Sequence, residues 1–345
     1  MSNSNIRWGI MGAANIARKS WWAIGRSGNA MVTAVASREL DRARSFIAEC
    51  QETTPMSSPP AALGSYEELL ASRDVDAVYI PLPTGVRKEW VLRSAAAGKH
   101  VLCEKPCAAS AADLEEMIDA CRQNNVQFMD GVKFMHGLRL TRMREVLNDQ
   151  VSVGFLRRIT SALTFAATPT FLEQDIRLHS GLEPHGCLGD LGWYNIRYAL
   201  WAMNWRMPDH VSGRIMASHG RADSPATVAT DFVGELFFDG GVSAAFHCSF
   251  VAAKQQWAVI SGAIGTLETP EFVNPPASDS VEFTVKGAQS RRVSVPESGD
   301  AQGINLFRVF SAQAGSGSLN EYWPEIALKT QRVMNACYDA ALAID

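Results

Sequence analysis

Long apolar runs are absent from this chain of 345 residues. No stretch approaches the roughly 18 consecutive apolar residues of a membrane-spanning helix, so we expect no membrane protein. Charge of one sign is not in excess either: 32 Lys and Arg against 36 Asp and Glu give a formal net charge of −4, which excludes a strongly basic nucleic-acid scaffold. The polar residues 1–5 lead into an apolar segment without a signal-peptide pattern, which favours a cytoplasmic protein.

A disulfide or metal pattern among the cysteines is also lacking. The seven cysteines are an odd number, scattered from Cys50 to Cys337, and most have apolar neighbours, as reduced buried thiols do. Cys103 and Cys107 are close, but their spacing is not that of a zinc site, and the histidines show no metal spacing. We therefore expect a reducing, cytoplasmic environment and no metal.

The length of the chain and its 47% of hydrophobic residues are sufficient for about two domains. In residues 1–130, short β-branched segments alternate with helical patterns, which predicts an α/β domain with a parallel sheet and right-handed crossovers. The predicted strands are 6–11, 31–37, 76–80, 100–103 and 126–129; the predicted helices are 15–26, 39–49, 85–97 and one from 110; 51–64 is a predicted surface loop.

The remainder, 131–345, has a different pattern. Segments 232–238 and 242–250 flank Asp239-Gly240-Gly241, which is a strong β-hairpin signal. Further strands are expected at 157–165, 281–285 and 291–295, and helices at 138–147, 188–203 and 323–343. This predicts an α+β domain on a mostly antiparallel sheet, with packing of helix 323–343 back on the first domain left open.

The first strand turns into the first helix at residues 12–17, where the sequence is a degenerate dinucleotide fingerprint. Gly12 permits a tight turn, Ala14 lets the backbone approach a pyrophosphate, and Ala17 allows close packing of helix on strand. The helix N-terminus supplies N–H groups for phosphates. Because alanine replaces glycine twice, a small-residue turn of another α/β domain is the alternative.

The end of the second strand indicates which dinucleotide is bound. An NAD site usually has an acidic residue there, whereas an NADP site has an arginine for the 2′-phosphate. Here Ser37 and Arg38 stand at that position, and Arg42 lies one turn further on. The sequence therefore favours NADP, with NAD as the alternative.

A lysine follows the strand at 100–103, in the segment Glu104-Lys105-Pro106. At the carboxyl edge of a parallel sheet it would face the ligand crevice, and Pro106 would fix the backbone there. Lys105 could donate to a substrate oxygen and stabilise an alkoxide, with Glu104 hydrogen-bonding to it or biasing its charge. The alternative is an ordinary exposed Glu-Lys pair.

Further short motifs follow in order along nearly the whole chain: Pro81-Leu82-Pro83-Thr84, Ile176-Arg177, Gly189-Asp190-Leu191-Gly192-Trp193-Tyr194 and Tyr322-Trp323-Pro324-Glu325. Together with the glycine turn and Glu104-Lys105-Pro106, they resemble the glucose–fructose oxidoreductase and inositol dehydrogenase family (Gfo/Idh/MocA). Tyrosine at position 194, where many members have histidine, resembles the glucose–fructose oxidoreductase and dihydrodiol dehydrogenase branches.

The resemblance implies an NADP-binding Rossmann domain (1–130), a substrate and dimerisation domain with a large open sheet (131–345), and an active site between them. It implies Lys105, Asp190 and Tyr194 as catalytic residues, with a substrate hydroxyl between Lys105 and Tyr194 and hydride passing to the nicotinamide. The residues expected to bind the cofactor are Gly12, Ala13, Ala14, Asn15, Ile16, Ser37, Arg38, Arg42, Pro81, Leu82, Thr84, Glu104 and Lys105.

Two positions depart from the family pattern. Arg87 stands where members often have histidine, and His185 interrupts a segment that is usually a glycine run. For His185, a substrate-binding role and a purely structural role are both open. The expected substrate contacts are Lys133, His136, Arg177 and His185.

The resulting hypothesis is an NADP-dependent oxidoreductase acting on a secondary alcohol or ketone of a sugar, cyclitol or dihydrodiol. One alternative is a relative that holds its cofactor tightly and uses transient oxidation for glycoside cleavage or alcohol–ketone transfer. The other is a non-catalytic sugar or NADP sensor. The implied partners are a small polyol-like substrate and a second copy of the chain, in a homodimer or higher homo-oligomer formed through the C-terminal sheet, with no nucleic acid and no membrane.

Overall fold

Residues 5–343 are described by the structure, a computed structural model, and they form two compact units. Within them, the first unit comprises 5–108, 112–133 and 303–327, and the second comprises 109–111, 134–302 and 328–343. The stretch 303–327 thus lies with the first unit, although it follows the predicted boundary at residue 130. Among the described residues, no helix combines the length and apolarity needed to cross a membrane.

The first unit is built on a six-stranded parallel sheet of order β3-β2-β1-β4-β5-β6. Its strands are β1 (Ile6–Met11), β2 (Ala30–Ala36), β3 (Ala61–Leu63), β4 (Ala77–Ile80), β5 (His100–Cys103) and β6 (Phe128–Asp130). Its helices are α1 (Asn15–Arg26), α2 (Leu40–Thr53), α3 (Tyr66–Ala71), α4 (Thr84–Ala96) and α5 (Ala111–Gln123). The predicted Rossmann alternation of strands and helices is confirmed.

A helix from much later in the chain completes the core of this unit. In α9 (Ala301–Ala314), Phe307 and Phe310 pack their rings against Trp8 of β1, with centroid separations of 5.1 and 5.0 Å. The indole Nε1 of Trp8 also donates to the hydroxyl of Ser311 at 3.0 Å. All four side chains are buried, so α9 covers apolar surface of the sheet that would otherwise face water.

The second unit is built on an eight-stranded sheet of order β14-β13-β12-β11-β7-β10-β9-β8. All its pairings are antiparallel except β7 with β10. The strands are β7 (Leu156–Ala166), β8 (His210–His219), β9 (Val228–Phe238), β10 (Val242–Ser249), β11 (Val251–Gly262), β12 (Thr266–Pro270), β13 (Val281–Lys286) and β14 (Arg291–Val295). The prediction of a large, mostly antiparallel sheet is confirmed.

Helices and turns complete the second unit. They are α6 (Leu138–Asn148), α7 (Pro169–Gln174), α8 (Trp193–Ala202) and α10 (Tyr322–Leu342), which begins among first-unit residues. The predicted hairpin is confirmed: Val242 pairs with Phe238, and Gly240 and Gly241 adopt φ values of +79° and +73°.

Two sequence predictions need correction, and further helices were missed. The predicted loop 51–64 contains the end of α2 and the short strand β3, which pairs with the edge of β2. The predicted helix 188–203 begins as a π-helical turn, Leu188–Gly192, before α8. The helices α3 and α9 were not predicted.

Candidate functional site

The turn between β1 and α1 is shaped for close approach by a ligand. Gly12 has a φ of +105°, which disfavours any residue with a side chain, and a Cβ there would meet Leu82 Cδ2 at 3.2 Å. Its N–H donates to the carbonyl of Ala36 at 2.8 Å, so the turn is fixed to the end of β2. Ala14, the N-cap residue of α1, gives the helix no side-chain cap, and the first helical turn has no acidic residue. This helix N-terminus suits an anion such as a pyrophosphate.

Cations follow the end of β2. Ser37 is buried and donates its N–H to the Leu63 carbonyl at 3.1 Å, whereas Arg38 and Arg42 are exposed. Within residues 5–343, neither guanidinium forms an ion pair or a hydrogen bond. Burial raises the pKa of the nearby Tyr66 phenol, and the charges of Arg38 and Arg42 oppose that rise. The positive charges of Arg38 and Arg42 are therefore available to an anionic ligand.

A buried arginine joins two loops at the carboxyl edge of the sheet. Arg87 of α4 is 3% exposed. Its Nε donates to the Leu82 carbonyl at 3.0 Å, and its Nη2 also donates there. Its Nη1 donates to the carbonyls of Glu104, at 2.9 Å, and of Pro106. The departure from histidine at this position thus places a planar, multidentate donor between loops 81–84 and 104–106.

Glu104 turns inward beneath Lys105. One carboxylate oxygen accepts from the phenol of Tyr79 at 2.6 Å, and the other accepts from the backbone N–H of Lys105 at 3.2 Å. Burial, together with the adjacent charge of Glu104, raises the pKa of Tyr79 well above its usual value, which keeps the phenol a neutral donor. Both carboxylate oxygens of Glu104 accept hydrogen bonds from the protein, so a contact between Glu104 and the cofactor stays a prediction. Lys105 follows β5 as predicted and is partly exposed.

In the second unit, Asp190 of the motif 189–194 lies in an ion pair that the sequence did not predict. Asp190 of the π turn accepts from Arg177 Nε at 2.9 Å, and Arg177 Nη1 contacts Asp175 at 3.1 Å. The charge of Asp190, and then that of Asp175, raises the pKa of Arg177. Arg177 and Asp190, both predicted site residues, are therefore brought together.

Tyr194 is the exception in an otherwise buried helix. Every other residue of α8 is buried, and Tyr194 is half-buried with its ring 6.1 Å from that of Phe134. The helix can approach the sheet because Gly192 has no side chain: a Cβ there would lie 2.7 Å from Leu188 Cδ1 and 3.2 Å from Cys248 Sγ. Tyr194 is thus the residue of α8 that is partly exposed.

The predicted histidines behave as neutral rings. Burial and the positive charge of Arg197 lower the pKa of His136 to about 3. Burial lowers the pKa of His185 to about 4. The His185 ring packs edge-on against Tyr338 of α10 at 5.0 Å, and its Nε2 lies 3.2 Å from Asn335 Nδ2. These contacts favour the structural interpretation of His185.

The other substrate candidate, Lys133, begins a 3₁₀ turn (Lys133–His136) after β6 and is partly exposed. Of the described residues, no group of three or more His, Cys, Asp or Glu could hold a metal.

Sequence reasoning missed two site features: the contacts of Arg87, which the sequence marked only as a departure, and the position of Tyr66, for which it held no signal beyond the aromatic residue itself.

Two family models match the chain. The model described as "Oxidoreductase family, NAD-binding Rossmann fold" (GFO_IDH_MocA) matches residues 6–132. The GFO/IDH/MocA C-terminal domain model matches residues 140–268. Together the two matches cover most of both units, and they include Gly12, Lys105, Asp190 and Tyr194.

Named relatives reduce or oxidise sugars. The chain is 28% identical over 338 residues to D-xylose 1-dehydrogenase (NADP(+)) 2 of Haloferax volcanii, covering 97% of each chain. It is 37% identical over 195 residues to the dTDP-3,4-didehydro-2,6-dideoxy-α-D-glucose 3-reductase of Streptomyces violaceoruber. That match covers 56% of this chain and spans only about half (53%) of the reductase.

A solved structure is similar over almost the full length. KijD10, a 3-ketoreductase from Actinomadura kijaniata in complex with NADP and TDP-benzene, superposes with a TM-score of 0.84 at 26% identity, covering 98% of each chain. Structures of that enzyme also exist with one tyrosine replaced by phenylalanine and with one lysine replaced by alanine or glutamate.

Proposed function

The chain belongs to the GFO/IDH/MocA family of oxidoreductases, and from that premise we propose that it is an NADP-dependent dehydrogenase or reductase. The proposed substrate is a secondary alcohol or the corresponding ketone in a sugar, cyclitol or dihydrodiol. The observation that carries the proposal is that one buried residue, Arg87, holds both the loop beside the glycine turn and the loop of Lys105. A dinucleotide-binding turn and a fixed lysine at one sheet edge are what hydride transfer to or from a carbonyl carbon requires.

The residues of the first unit fit this cofactor. Gly12 leaves a cradle that a Cβ would fill, the uncapped start of α1 suits the pyrophosphate, and Arg38 and Arg42 suit the 2′-phosphate. When bound, NADP gives or takes a hydride at C4 of its nicotinamide.

Lys105 and Tyr194 are proposed to act in the same reaction, an assignment that rests on family membership. The Lys105 ammonium donates to the substrate oxygen and stabilises negative charge on it. The Tyr194 phenol gives a proton to that oxygen during reduction and accepts one during oxidation. Because an ordinary phenol has a pKa near 10, acceptance at neutral pH needs a neighbouring cation, a role proposed for Lys105.

Asp190 is proposed to orient the substrate while Arg177 holds its carboxylate in place. Arg177 contacts two carboxylates, Asp175 and Asp190, so the three groups together carry one net negative charge. Such a group favours the hydroxyls of a polyol over an anionic group at that position.

The proposed activity is tested with a panel of sugars, cyclitols and dihydrodiols, each assayed with NADP and NAD, following the absorbance band of the reduced nicotinamide. We expect stoichiometric reduction of added NADP with at least one member. Cofactor that stays bound through purification, with no net consumption of added NADP, would instead identify a transient-oxidation enzyme.

Replacing Arg38 by alanine is expected to weaken NADP but not NAD. Loss of a charged hydrogen bond to phosphate lowers affinity on the order of tenfold to a hundredfold. The dissociation constants of both cofactors, measured by calorimetry, test this. Arg44→Ala is the matched control because Arg44 lies six positions after Arg38, on α2, and pairs with Asp41 at 3.0 Å. An equal loss for NAD and NADP would refute the 2′-phosphate assignment.

We propose that the second sheet forms a homodimer through its open face. Cross-strand pairing aligns Val233 with His247, His247 with Ala162, and Ala162 with Trp257, so these four side chains share one face across four strands. Val233 and Trp257 are 37% and 38% exposed, which leaves apolar surface for a partner.

Charge placed on this face is expected to dissociate the dimer. Sedimentation velocity should show the mass of two chains for the wild-type protein and of one chain for Trp257→Glu, because association would bury the new carboxylate. Leu138→Glu, at an exposed apolar residue of α6, serves as the control and should stay dimeric. A wild-type protein that sediments as a monomer would rule the proposal out.

A further inference from the structure

The side chain of Tyr66 combines deep burial with an unused polar atom. Tyr66, the first residue of α3, is 8% exposed, and its ring packs edge-on against Trp90 of α4 with centroids 4.8 Å apart. Its hydroxyl forms no hydrogen bond with residues 5–343 and keeps some access to solvent. A phenolic hydroxyl on a buried ring normally finds a hydrogen-bond partner, because leaving it without one is costly. The solvent-accessible side of the Tyr66 hydroxyl is therefore where a ligand atom could accept a hydrogen bond from it.

The direction of that hydroxyl is known from its neighbours. It lies 3.6 Å from the position that a Cβ on Gly12 would occupy, and Leu82 Cδ2 lies 3.2 Å from the same point. The hydroxyl therefore points at the glycine turn. Ser65 holds α3 in this orientation, since its side chain accepts from the N–H of Glu68 at 3.1 Å and caps the helix.

Two arginines act electrostatically on the same hydroxyl. Arg38 and Arg42 are close enough to act electrostatically on the Tyr66 phenol, and both would lower its pKa against the effect of burial. A phenol beside two guanidinium groups that form no ion pair with the described protein is a set of donors for one polyanion.

We propose that Tyr66 completes the binding site for the 2′-phosphate of NADP, its hydroxyl donating a hydrogen bond to that phosphate alongside Arg38 and Arg42. The inference rests on the proposed use of NADP and adds a specificity residue to it. Tyr66 lies on α3, after β3, and so is separate in sequence from the Ser37-Arg38 segment in which such specificity is usually sought. The arginines supply charge, and the rigid phenol supplies a donor of fixed direction.

Tyr66→Phe tests the proposal by removing only the hydroxyl while keeping the packing on Trp90. Calorimetry on the full chain compares NADP with NAD, and 2′,5′-ADP with 5′-AMP, so no turnover is needed. We expect the affinities for NADP and 2′,5′-ADP to fall about tenfold, and those for NAD and 5′-AMP to stay within about twofold. Tyr66→Phe and Arg38→Ala should also be non-additive towards 2′,5′-ADP, since both groups serve one phosphate.

The control is Tyr198→Phe, which removes a buried hydroxyl bonded to Thr269 at 3.0 Å in the second unit and should change neither affinity. Equal losses for NADP and NAD would mean that Tyr66 contacts the shared part of the cofactor and would overturn the proposal, as would no loss for either. If the wild-type protein itself shows no preference for 2′,5′-ADP over 5′-AMP, the assignment of NADP fails. If the preference exists and Tyr66→Phe retains it, only the role of Tyr66 fails.

Discussion

Lys105→Ala is expected to lower kcat by on the order of a hundredfold to a thousandfold while the dissociation constant of NADP changes only slightly. The physical reason is that the ammonium group stabilises charge that develops on the substrate oxygen during hydride transfer and is weaker in the ground state. Lys105 is partly exposed at the end of β5, on a backbone held by Glu104 and Arg87, so its truncation leaves these supporting contacts in place. Steady-state kinetics on the best substrate, with NADP affinity measured separately, gives both quantities.

Lys88→Ala provides the matched control. Lys88 pairs with Asp113 and Glu116, at 2.6 Å each, and its removal should leave kcat unchanged. Lys105→Arg keeps the charge but alters the donor geometry, and we expect it to recover only part of the lost kcat. A Lys105→Ala protein that binds NADP and turns over at the wild-type rate would show that the lysine is not catalytic.

The alternating half of the fold was predictable because its signals are local. Strands such as β2 and β5 are short apolar segments between helices, and this pattern repeats within each stretch of about 30 residues. By contrast, α9 lies after the last strand of the second sheet yet packs in the first unit. Its contact with Trp8 joins residues 303 positions apart, and no local pattern encodes that partner.

The short strand β3 was missed for a related reason. It has three residues in a segment rich in proline and serine, and it is a strand because it pairs with residues 34–36 of β2. An edge strand of this length owes its conformation to its neighbour more than to its own composition.

For the candidate site, the motifs predicted which residues matter but not what each side chain contacts. Asp190 was expected as a catalytic residue, and the structure shows one of its oxygens paired with Arg177, thirteen positions earlier. His185 was expected as a substrate contact with an open structural alternative, and its packing on Tyr338 depends on a helix about 150 residues later. Such contacts follow from tertiary packing and cannot be read from motif spacing.

The contacts of Arg87 lead to the second large expected effect. Arg87→Met should lower kcat and raise the KM for NADP, each on the order of tenfold or more, because a small displacement of a catalytic group or a cofactor loop is costly. It should also reduce the free energy of unfolding by about 3 kcal/mol, since the buried carbonyls of Leu82, Glu104 and Pro106 lose their donor. Kinetics, calorimetric NADP binding and thermal unfolding are measured on the same preparation, below the unfolding transition of the variant.

The controls separate positioning from stability. Arg93→Met, on the same helix, removes an exposed guanidinium that pairs with Glu67 at 2.7 Å and should leave every quantity near wild type. If Arg87 only stabilises the fold, Arg87→Met will unfold at lower temperature yet keep the wild-type kcat and KM while folded. If Arg87 positions the two loops, the kinetic losses will persist at temperatures where the variant is fully folded. Arg87→Lys should then recover stability better than kcat, because one ammonium group has a single donor centre and cannot serve the loops of Leu82 and Lys105 with the geometry of a planar guanidinium.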